Sequence, residues 1–360
     1  MQARWAALSP TARFAAVAVP LAVVVTAGLV LLGTSGPTPG PSPVAGATSS
    51  PAAPAASASA APSLAAPSPT PLPPGADPLL GLDGRFTILL LGSDYRGSSP
   101  GNRTDTIMIV SVVPGDGAVS VVSIPRDTAQ FPLPDGTVWQ TKLNGLYPAT
   151  IKRVGKDRAG TELRGMIGRT LGVEIDAYAL IGMVGLTTLV DRIGGVDVVL
   201  DVAVHDPYYW TNEGVQGISF AAGKNHLNGE RALIFARTRK GDSDFQRVRR
   251  QQQLVQAVAE KVLKRGTSAL PALLELVQKW VITDVGIDKA AALYELVAKA
   301  DLDHVRRAVL GPKYADPIPG TVDYRLRVDE VRSLIAEWYA PVPGSPLGPP
   351  LAAPSSSPGT

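Results

Sequence analysis

The sequence predicts a layered α/β protein, with either a plain α/β or an α-β-α arrangement, preceded by one transmembrane helix. Between residues 81 and 340, short β-branched runs of strand length alternate with segments whose apolar residues recur at helical spacing. Such interleaving is typical of a sheet covered by helices. In addition, residues 14–32 form a run of 19 uncharged, mostly apolar positions, close to the ~20 that cross a bilayer. These observations divide the chain into an anchor and a folded domain.

The N-terminal run is interpreted as an uncleaved membrane anchor. Arg4 and Arg13 precede it and no basic residue follows it closely, which orients residues 1–13 to the cytoplasm and the domain to the outside of the cell. A cleaved signal peptide is the alternative, but no Ala-x-Ala site follows the run directly. Residues 33–80 are rich in Pro, Ala and Ser and predict a disordered linker, and residues 341–360 predict a disordered tail of similar composition.

The composition excludes several classes of chemistry. The 360 residues carry a net charge of +3 and contain no cysteine, which rules out a disulfide framework and thiol catalysis. The three histidines, His205, His226 and His304, lie in no Ser-His-Asp pattern, and neither zinc-ligand spacing nor a Gly-rich lysine loop for phosphate occurs. The chemistry that is left is electrostatic, with cations and a metal ion around a phosphate group.

The strands and helices of the domain follow from its apolar runs and turns. The first strand is expected at residues 86–91, before the polar turn Gly92-Ser93-Asp94. Residues 106–113 and 119–124 are β-branched and flank the turn sequence Pro114-Gly115-Asp116-Gly117, which predicts a hairpin. The other expected elements are strands at 177–181, 196–204 and 307–310, helices at 161–171, 184–193, 229–235, 270–280, 289–300 and 328–339, and an aromatic-rich loop at 205–220.

Two aspartates flank the first two strands. Asp94 follows the first strand and Asp105 precedes the second, so both carboxylates reach one end of the sheet if these strands are neighbours. Carboxylate oxygens, together with phosphate oxygens, are ligands that Mg²⁺ prefers. The alternative is that both are turn or capping residues. Arg103 lies between them in sequence, and Arg126 and Lys142 add cations near the same end.

A basic stretch further along the chain supplies more cations. Six basic residues lie between positions 237 and 250, and Arg237 and Arg239 point to one side if their segment is extended. A helix capped by Asp244 is expected next, and one of its faces carries Arg247, Arg250 and Gln251. A helix start beside arginine side chains suits phosphate. A solvated basic face or a nucleic-acid patch would carry the same charge, but a position outside the cell argues against nucleic acid as a partner.

Eight short motifs occur in one order along the chain. They are Leu89-Leu90-Leu91-Gly92-Ser93-Asp94, Arg103-Thr104-Asp105-Thr106, Ser123-Ile124-Pro125-Arg126-Asp127, Lys142-Leu143-Asn144, Gly194-Gly195-Val196-Asp197-Val198, Leu227-Asn228-Gly229-Glu230-Arg231-Ala232-Leu233, Arg237-Thr238-Arg239, and Asp244-Phe245 followed by Arg247 and Arg250-Gln251-Gln252. This ordered set resembles the motifs of the LytR-CpsA-Psr family. The resemblance covers residues 85–253 closely and the C-terminal helices more loosely.

The resemblance implies a fold and an activity. The fold is an α-β-α sandwich with a central mixed β-sheet and a lipid-binding groove under that sheet. The activity is transfer of a glycopolymer, such as teichoic acid, capsule or arabinogalactan, from a polyprenyl-pyrophosphate carrier to peptidoglycan, leaving a phosphodiester link. The implied cofactor is Mg²⁺ or Mn²⁺, held by Asp94 and Asp105. These two acids and Arg126 are the implied catalytic residues, with Asp127 supporting Arg126.

The resemblance also implies which residues hold the pyrophosphate. They are Arg103, Lys142, Arg237, Arg239, Arg247, Arg250 and Gln251. Two other functions would use the same residues. One is a pyrophosphatase that takes water as its acceptor, and the other is a non-catalytic lipid-phosphate binding or regulatory protein of the envelope.

Overall fold

The computed structural model describes residues 77–94, 103–211, 213–239, 243–265 and 270–349. The predicted anchor at 14–32 and nearly all of the predicted linker lie outside these residues. Within the described residues, none of the helices combines the length and the apolar character that crossing a bilayer requires.

Six strands form the central sheet, and four pairs of shorter strands lie around it. The strands are β1 (Phe86–Ser93), β2 (Thr104–Val112), β3 (Val119–Ile124), β4 (Phe131–Pro132), β5 (Val138–Trp139), β6 (Ala177–Gly182), β7 (Val196–Leu200), β8 (Val204–Trp210), β9 (Gln216–Phe220), β10 (Gly223–Leu227), β11 (Val281–Thr283), β12 (Arg306–Val309), β13 (Ala315–Pro317) and β14 (Tyr324–Leu326). The central sheet has the order β11-β6-β1-β2-β3-β12. It is mixed, because β1, β2 and β3 are antiparallel neighbours whereas β6 and β12 pair in parallel with β1 and β3.

Helices cover both faces of this sheet. They are α1 (Leu146–Val154), α2 (Lys156–Leu171), α3 (Met183–Arg192), α4 (Gly229–Arg237), α5 (Asp244–Arg265), α6 (Leu270–Trp280), α7 (Ala290–Ala298) and α8 (Val328–Trp338). Successive side chains of a strand point to opposite faces of its sheet. Accordingly, Ile88 and Leu90 of β1 pack with apolar residues of α3 to α7, whereas Leu89 and Leu91 pack with α1, α2 and α8. The expected fold class, an α-β-α sandwich with a central mixed sheet, is confirmed for the described residues.

The structure contains elements that were not predicted, including α1, β10, β13 and β14, and it contradicts the sequence expectations in two segments. Residues 205–220 were expected to be a loop, but β8 and β9 pair there as an antiparallel hairpin with a register irregularity between Asp206 and Trp210. Tyr, Trp and Val favour strands, and the glycines that suggested a loop lie at the turn and within β9. Residues 341–349, expected in the tail, form turns in which Val342 N–H donates to Asp83 O (2.8 Å) and Leu347 N–H donates to Leu82 O (3.1 Å).

Candidate functional site

A cleft of about 540 Å³ opens at the end of the sheet where β1 stops and β2 starts. Its lining residues are Asp94, Arg103, Asp105, Arg126, Asp127, Lys142, Asn144, Arg239, Asp244, Val322 and Tyr324. Six of the ten sequence-predicted site residues therefore meet in one place, although Arg239 is more than a hundred positions from Arg126 in the sequence. Four predicted residues, Arg237, Arg247, Arg250 and Gln251, are not part of this lining.

The pairing of β1 with β2 brings the two predicted metal ligands to one side of the molecule. Ser93 is paired with Thr104, so that Asp94 and Asp105 leave neighbouring strands at the same end. Asp94 N–H donates to Arg103 O (3.1 Å), and Asp94 Oδ1 accepts from Arg103 N–H (2.9 Å). These two bonds fix the backbone of Asp94 and of Arg103 at the mouth of the cleft.

Asp105 is the buried acid of the cleft, with 2% of its surface exposed. Its Oδ1 lies 3.1 Å from Arg126 Nη1 and accepts a hydrogen bond from Asn144 Nδ2 (3.0 Å). Its Oδ2 is buried and has no hydrogen-bond partner among the described residues. A buried carboxylate oxygen without a donor is costly unless a cation faces it. Asp105 and Asp94 together therefore fit a Mg²⁺ or Mn²⁺ ion that would share its remaining positions with phosphate and water. Among the described residues, no group of three or more His, Cys, Asp and Glu side chains forms an all-protein metal site.

Arg126 and Lys142 are held by a second buried acid, Asp127. The carboxylate of Asp127 lies 3.9 Å from Arg126 Nε and 2.5 Å from Lys142 Nζ, which also lies 3.1 Å from Asp323. Burial by itself would raise the pKa of Asp127, but the hydrogen bond from Lys142 and the charge of Arg126 lower it below its usual range. Asp127 is therefore ionised at neutral pH and orients both cations toward the cleft.

The first turn of α5 adds a third group of charges. Asp244 Oδ1 lies 3.3 Å from Arg239 Nε and 2.5 Å from Arg247 Nη1. Arg247 is fully buried behind the cleft, and burial lowers its pKa to about 10, which leaves the guanidinium protonated at neutral pH. Its Nε and Nη2 are buried without hydrogen-bond partners among the described residues. A buried guanidinium with unpaired N–H groups favours an anion in the adjoining cleft.

Two of the four predicted residues outside the lining, Arg250 and Gln251, bind the backbone of residues 235–238. Arg250 donates to Phe235 O (3.3 Å) and Thr238 O (2.5 Å), and Gln251 donates to Ala236 O (3.3 Å). Arg237 is the last residue of α4 and interacts with the hydroxyl of Tyr209. The expectation that Arg237 and Arg239 point to one side of an extended segment is therefore wrong, because the helix continues through Arg237.

Asp206 is a residue of this region that the sequence did not identify. It is 2% exposed, and its Oδ2 accepts hydrogen bonds from Thr238 Oγ1 (2.6 Å) and from Arg239 N–H (3.0 Å). Its Oδ1 accepts from Tyr208 N–H (3.1 Å). The β8–β9 hairpin thereby holds the backbone of Arg239. The one signal in the sequence was an acidic residue within an otherwise apolar and aromatic run.

The positive and negative side chains that line the cleft are equal in number. Arg103, Arg126, Lys142 and Arg239 supply four positive charges, and Asp94, Asp105, Asp127 and Asp244 supply four negative charges. A diphosphate needs a positive environment, so these side chains suit it best when a divalent cation adds its charge. The cleft can therefore bind and polarise a metal-bound phosphate group.

Comparison with known proteins bears on the same residues. A model of the LytR_cpsA_psr family matches residues 73–322, which include every residue of the cleft lining except Tyr324. The chain belongs to the LytR-CpsA-Psr family. The ordered motifs identified in the sequence are thus explained by membership of that family.

Individual members of the LytR-CpsA-Psr family match over different shares of their length. The chain is 32% identical over 248 residues to the cell wall biosynthesis protein LcpA of Corynebacterium glutamicum, covering 58% of this chain and 45% of LcpA. It is 31% identical over 260 residues to the polyisoprenyl-teichoic acid–peptidoglycan teichoic acid transferase TagU of Bacillus cereus, covering 71% of this chain and 74% of TagU. The chain thus spans less than half of the length of LcpA.

A solved structure of the family has the same fold. The crystal structure of Bacillus subtilis TagV superposes with a TM-score of 0.57 at 24% identity, covering 72% of this chain and 99% of TagV. At this identity the likeness establishes the fold alone.

Proposed function

We propose that this LytR-CpsA-Psr protein is a membrane-anchored phosphotransferase of the cell envelope. It would move a glycopolymer from a polyprenyl-pyrophosphate carrier to peptidoglycan and leave a phosphodiester link. The observation that carries the proposal is the meeting of Asp94 and Asp105 with Arg103, Arg126, Lys142 and Arg239 in one cleft. The similarity to TagU, a polyisoprenyl-teichoic acid–peptidoglycan teichoic acid transferase, supports the same reaction class.

The reaction requires one bond to form and one to break. A hydroxyl oxygen of the acceptor sugar attacks the phosphorus next to the glycopolymer, and the bond from that phosphorus to the bridging oxygen breaks. The carrier leaves as polyprenyl phosphate, and the hydroxyl proton passes to a base. Negative charge grows on the leaving phosphate, where Arg126, Lys142 and Arg239 would stabilise it without reorganising. Asp127 and Asp244 keep these cations oriented.

A divalent cation is part of the proposal. Asp94 and the Oδ2 atom of Asp105 would hold Mg²⁺ or Mn²⁺, and the bound ion would neutralise phosphate charge and act as a Lewis acid. Without it, the balanced charges of the lining would leave a diphosphate uncompensated.

The lipid portion of the carrier also requires a binding surface. A prenyl chain requires apolar surface. We propose that it enters the apolar layer between α5 and the central sheet, which contains Val248, Leu254, Val255 and Val258 and is closely packed in this structure. The anchor at residues 14–32 and the linker after it would keep the domain near a carrier in the membrane.

Substitution of cleft arginines tests the proposal. Arg126→Ala and Arg239→Ala should each lower transfer of glycopolymer by roughly a hundredfold or more, the usual cost of removing one preorganised donor. Arg169→Ala, at an exposed position of α2, removes the same charge far from the cleft and should retain transfer. Full activity of both cleft variants would refute their role.

Product analysis separates the transferase from its alternatives. The wild-type chain is incubated with a lipid-pyrophosphate glycan, Mg²⁺ and peptidoglycan fragments, and the products are identified by mass spectrometry. A phosphodiester-linked adduct supports the transferase, free glycan phosphate alone indicates a pyrophosphatase, and binding without turnover indicates a regulatory protein. A chelator should abolish product formation, and Mg²⁺ or Mn²⁺ should restore it.

A further inference from the structure

A second and larger cavity, of about 950 Å³, forms a groove between α5 and the edge strand β12. One wall is the outward face of α5, and the other is β12 with the loop that follows it. Residues of α5 that line it at alternating spacings of three and four are Gln246, Arg249, Gln253, Gln256 and Glu260. These positions form one stripe along the helix, roughly 21 Å long at 1.5 Å per residue. A groove of this length suits an extended chain better than a compact ligand.

The lining of this groove is polar and carries more positive than negative charge. Arg249, Arg307 and Lys313 contribute cations. The two acids of the lining are engaged, because Asp197 at the margin lies 2.7 Å from His226 and 3.0 Å from Lys224, and Glu260 accepts from Gln256 (2.8 Å). Arg307 is engaged as well, since it donates to Gln256. The three cations exceed the two acids by one positive charge, which favours an anionic ligand.

Aromatic and amide side chains lie between these cations. Phe245, Tyr314 and Trp338 line the groove, and the amides of Gln246 and Gln253 lie on the same helix face. Amides hydrogen-bond hydroxyl and acetamido groups in both directions, and aromatic rings offer flat apolar surface next to polar groups. Together they suit sugar rings. A prenyl tail would leave these polar groups without partners.

The groove begins beside the catalytic cleft. Phe245 lines the groove and Tyr324 lines the cleft, and their rings pack edge to face with centroids 5.3 Å apart. Asp244, one residue before Phe245, lies in the cleft lining. One pair of rings therefore separates the two cavities, and a polymer bound at its reacting end in the cleft could continue into the groove.

We propose that this groove binds an extended anionic glycan chain and holds it next to the cleft. The proposal rests on the proposed function for the identity of that chain, which is either the acceptor peptidoglycan strand or the glycopolymer being transferred. Both sources present the same chemistry, sugar rings with carboxylate or phosphate groups.

The binding test uses the full chain and two probes that lack the lipid carrier. One probe is uncrosslinked peptidoglycan glycan strands, and the other is a soluble anionic glycopolymer. Arg249→Ala should weaken binding of at least one probe about tenfold, as expected for one lost hydrogen bond to a charged group. Gln253→Ala should weaken the same probe by a smaller factor. Arg169→Ala removes the same charge from an exposed position of α2, which covers the opposite face of the sheet from α5, and should leave the Kd within about twofold, as expected for a surface change away from the ligand.

Each result decides the proposal. Selective weakening in Arg249→Ala supports it, and the probe that is weakened identifies acceptor strand or glycopolymer. An unchanged Kd in Arg249→Ala, equal weakening in Arg169→Ala, or no binding of either probe to the wild type would overturn it. If the wild type binds a probe through Arg249 but forms no transfer product, the proposed transferase function fails while the groove stands.

Discussion

At the scale of single residues, Asp206 shows how the cleft depends on a side chain that lies outside its lining. Its carboxylate accepts from Thr238 Oγ1 and Arg239 N–H, while Arg250 binds the carbonyl of Thr238. The segment that carries Arg239 is thus held from the hairpin and from α5 together. Asp206 is a positioning residue, because it acts on the substrate through Arg239.

Replacing Asp206 should weaken pyrophosphate binding. Asp206→Ala removes the carboxylate that accepts from Tyr208, Thr238 and Arg239, and two of these three hydrogen bonds hold the segment that carries Arg239. Each is worth about 1.5–3 kcal/mol, so affinity for inorganic pyrophosphate in the presence of Mg²⁺ should fall at least about tenfold. Asp206→Asn keeps one acceptor oxygen and should recover part of that affinity. The measurement is titration calorimetry at a temperature where circular dichroism shows the variants folded.

The matched control for this prediction is Asp201→Ala. Asp201 is an exposed acid in the connection between β7 and β8, five positions before Asp206. Its removal should leave pyrophosphate affinity unchanged. Equal affinity of Asp206→Ala and wild type would show that Arg239 is positioned without the hairpin.

Single residues also show which side-chain contacts could be predicted from the sequence. Asp94 and Asp105 flank strands that are consecutive in the chain, so a local antiparallel pairing was enough to bring them together. Asp206 and Thr238 are 32 positions apart and meet only through the packing of the hairpin against α4. Helical periodicity predicted that Arg250 and Gln251 share one helix face. It did not predict that this face hydrogen-bonds the backbone carbonyls of residues 235–238.

At the scale of elements, two glycines of α2 have opposite environments. A Cβ at Gly160 would enter the ring of Tyr178 in β6, whereas a Cβ at Gly165 would meet only the end of the flexible Arg169 side chain, at 3.0 Å. Gly160 is therefore what lets α2 lie close to the sheet.

Alanine at these two positions should change stability in opposite directions. Overpacking typically costs about 1–3 kcal/mol, which exceeds the ~1 kcal/mol that Ala gains over Gly in a helix, so Gly160→Ala should be less stable. Gly165→Ala should be unchanged or more stable by up to about 1 kcal/mol. The free energy of unfolding is measured by urea denaturation, and a Gly160→Ala protein as stable as Gly165→Ala would contradict the close approach of α2.

The element scale also explains two errors of secondary-structure prediction. Residues 146–154, for which no element was predicted, form a helix, and residues 204–220 form a hairpin; both patterns are short and interrupted by Pro or Gly. In contrast, β1, β2 and β3 have continuous apolar runs, and their expected positions and the β2–β3 hairpin are confirmed. Where tertiary packing rather than local pattern selects the conformation, the sequence is a weaker guide.

At the scale of the whole molecule, Asp176 links stability to pH. It lies at the start of β6 and accepts from Thr87 N–H of β1 (2.7 Å). Burial raises its pKa to about 8 from 3.8, against the effect of that hydrogen bond, and the neighbouring Asp83 and Glu174 raise it further. Between these two pKa values the folded protein holds this proton more tightly than the unfolded chain does. The contribution of Asp176 to stability is therefore full below about pH 4 and is lost as pH rises through about 8.

Asp176→Asn should remove this dependence. The free energy of unfolding of the wild type should fall relative to that of the variant as pH rises from about 5 to about 8. Urea denaturation at several pH values measures the difference, with the exposed Asp303→Asn as control. Parallel pH profiles for wild type and Asp176→Asn would contradict an elevated proton affinity at this site.

The backbone bonds of Val342 and Leu347 to residues 82 and 83 have a topological consequence. The chain therefore enters and leaves the domain at neighbouring positions. A short connector could therefore join position 349 to position 77, and the circle could be reopened at the exposed turn of Asp135 and Gly136 without breaking any pair of strands in the central sheet. Such a permuted chain would begin and end at the turn of Asp135 and Gly136 and still assemble the same cleft.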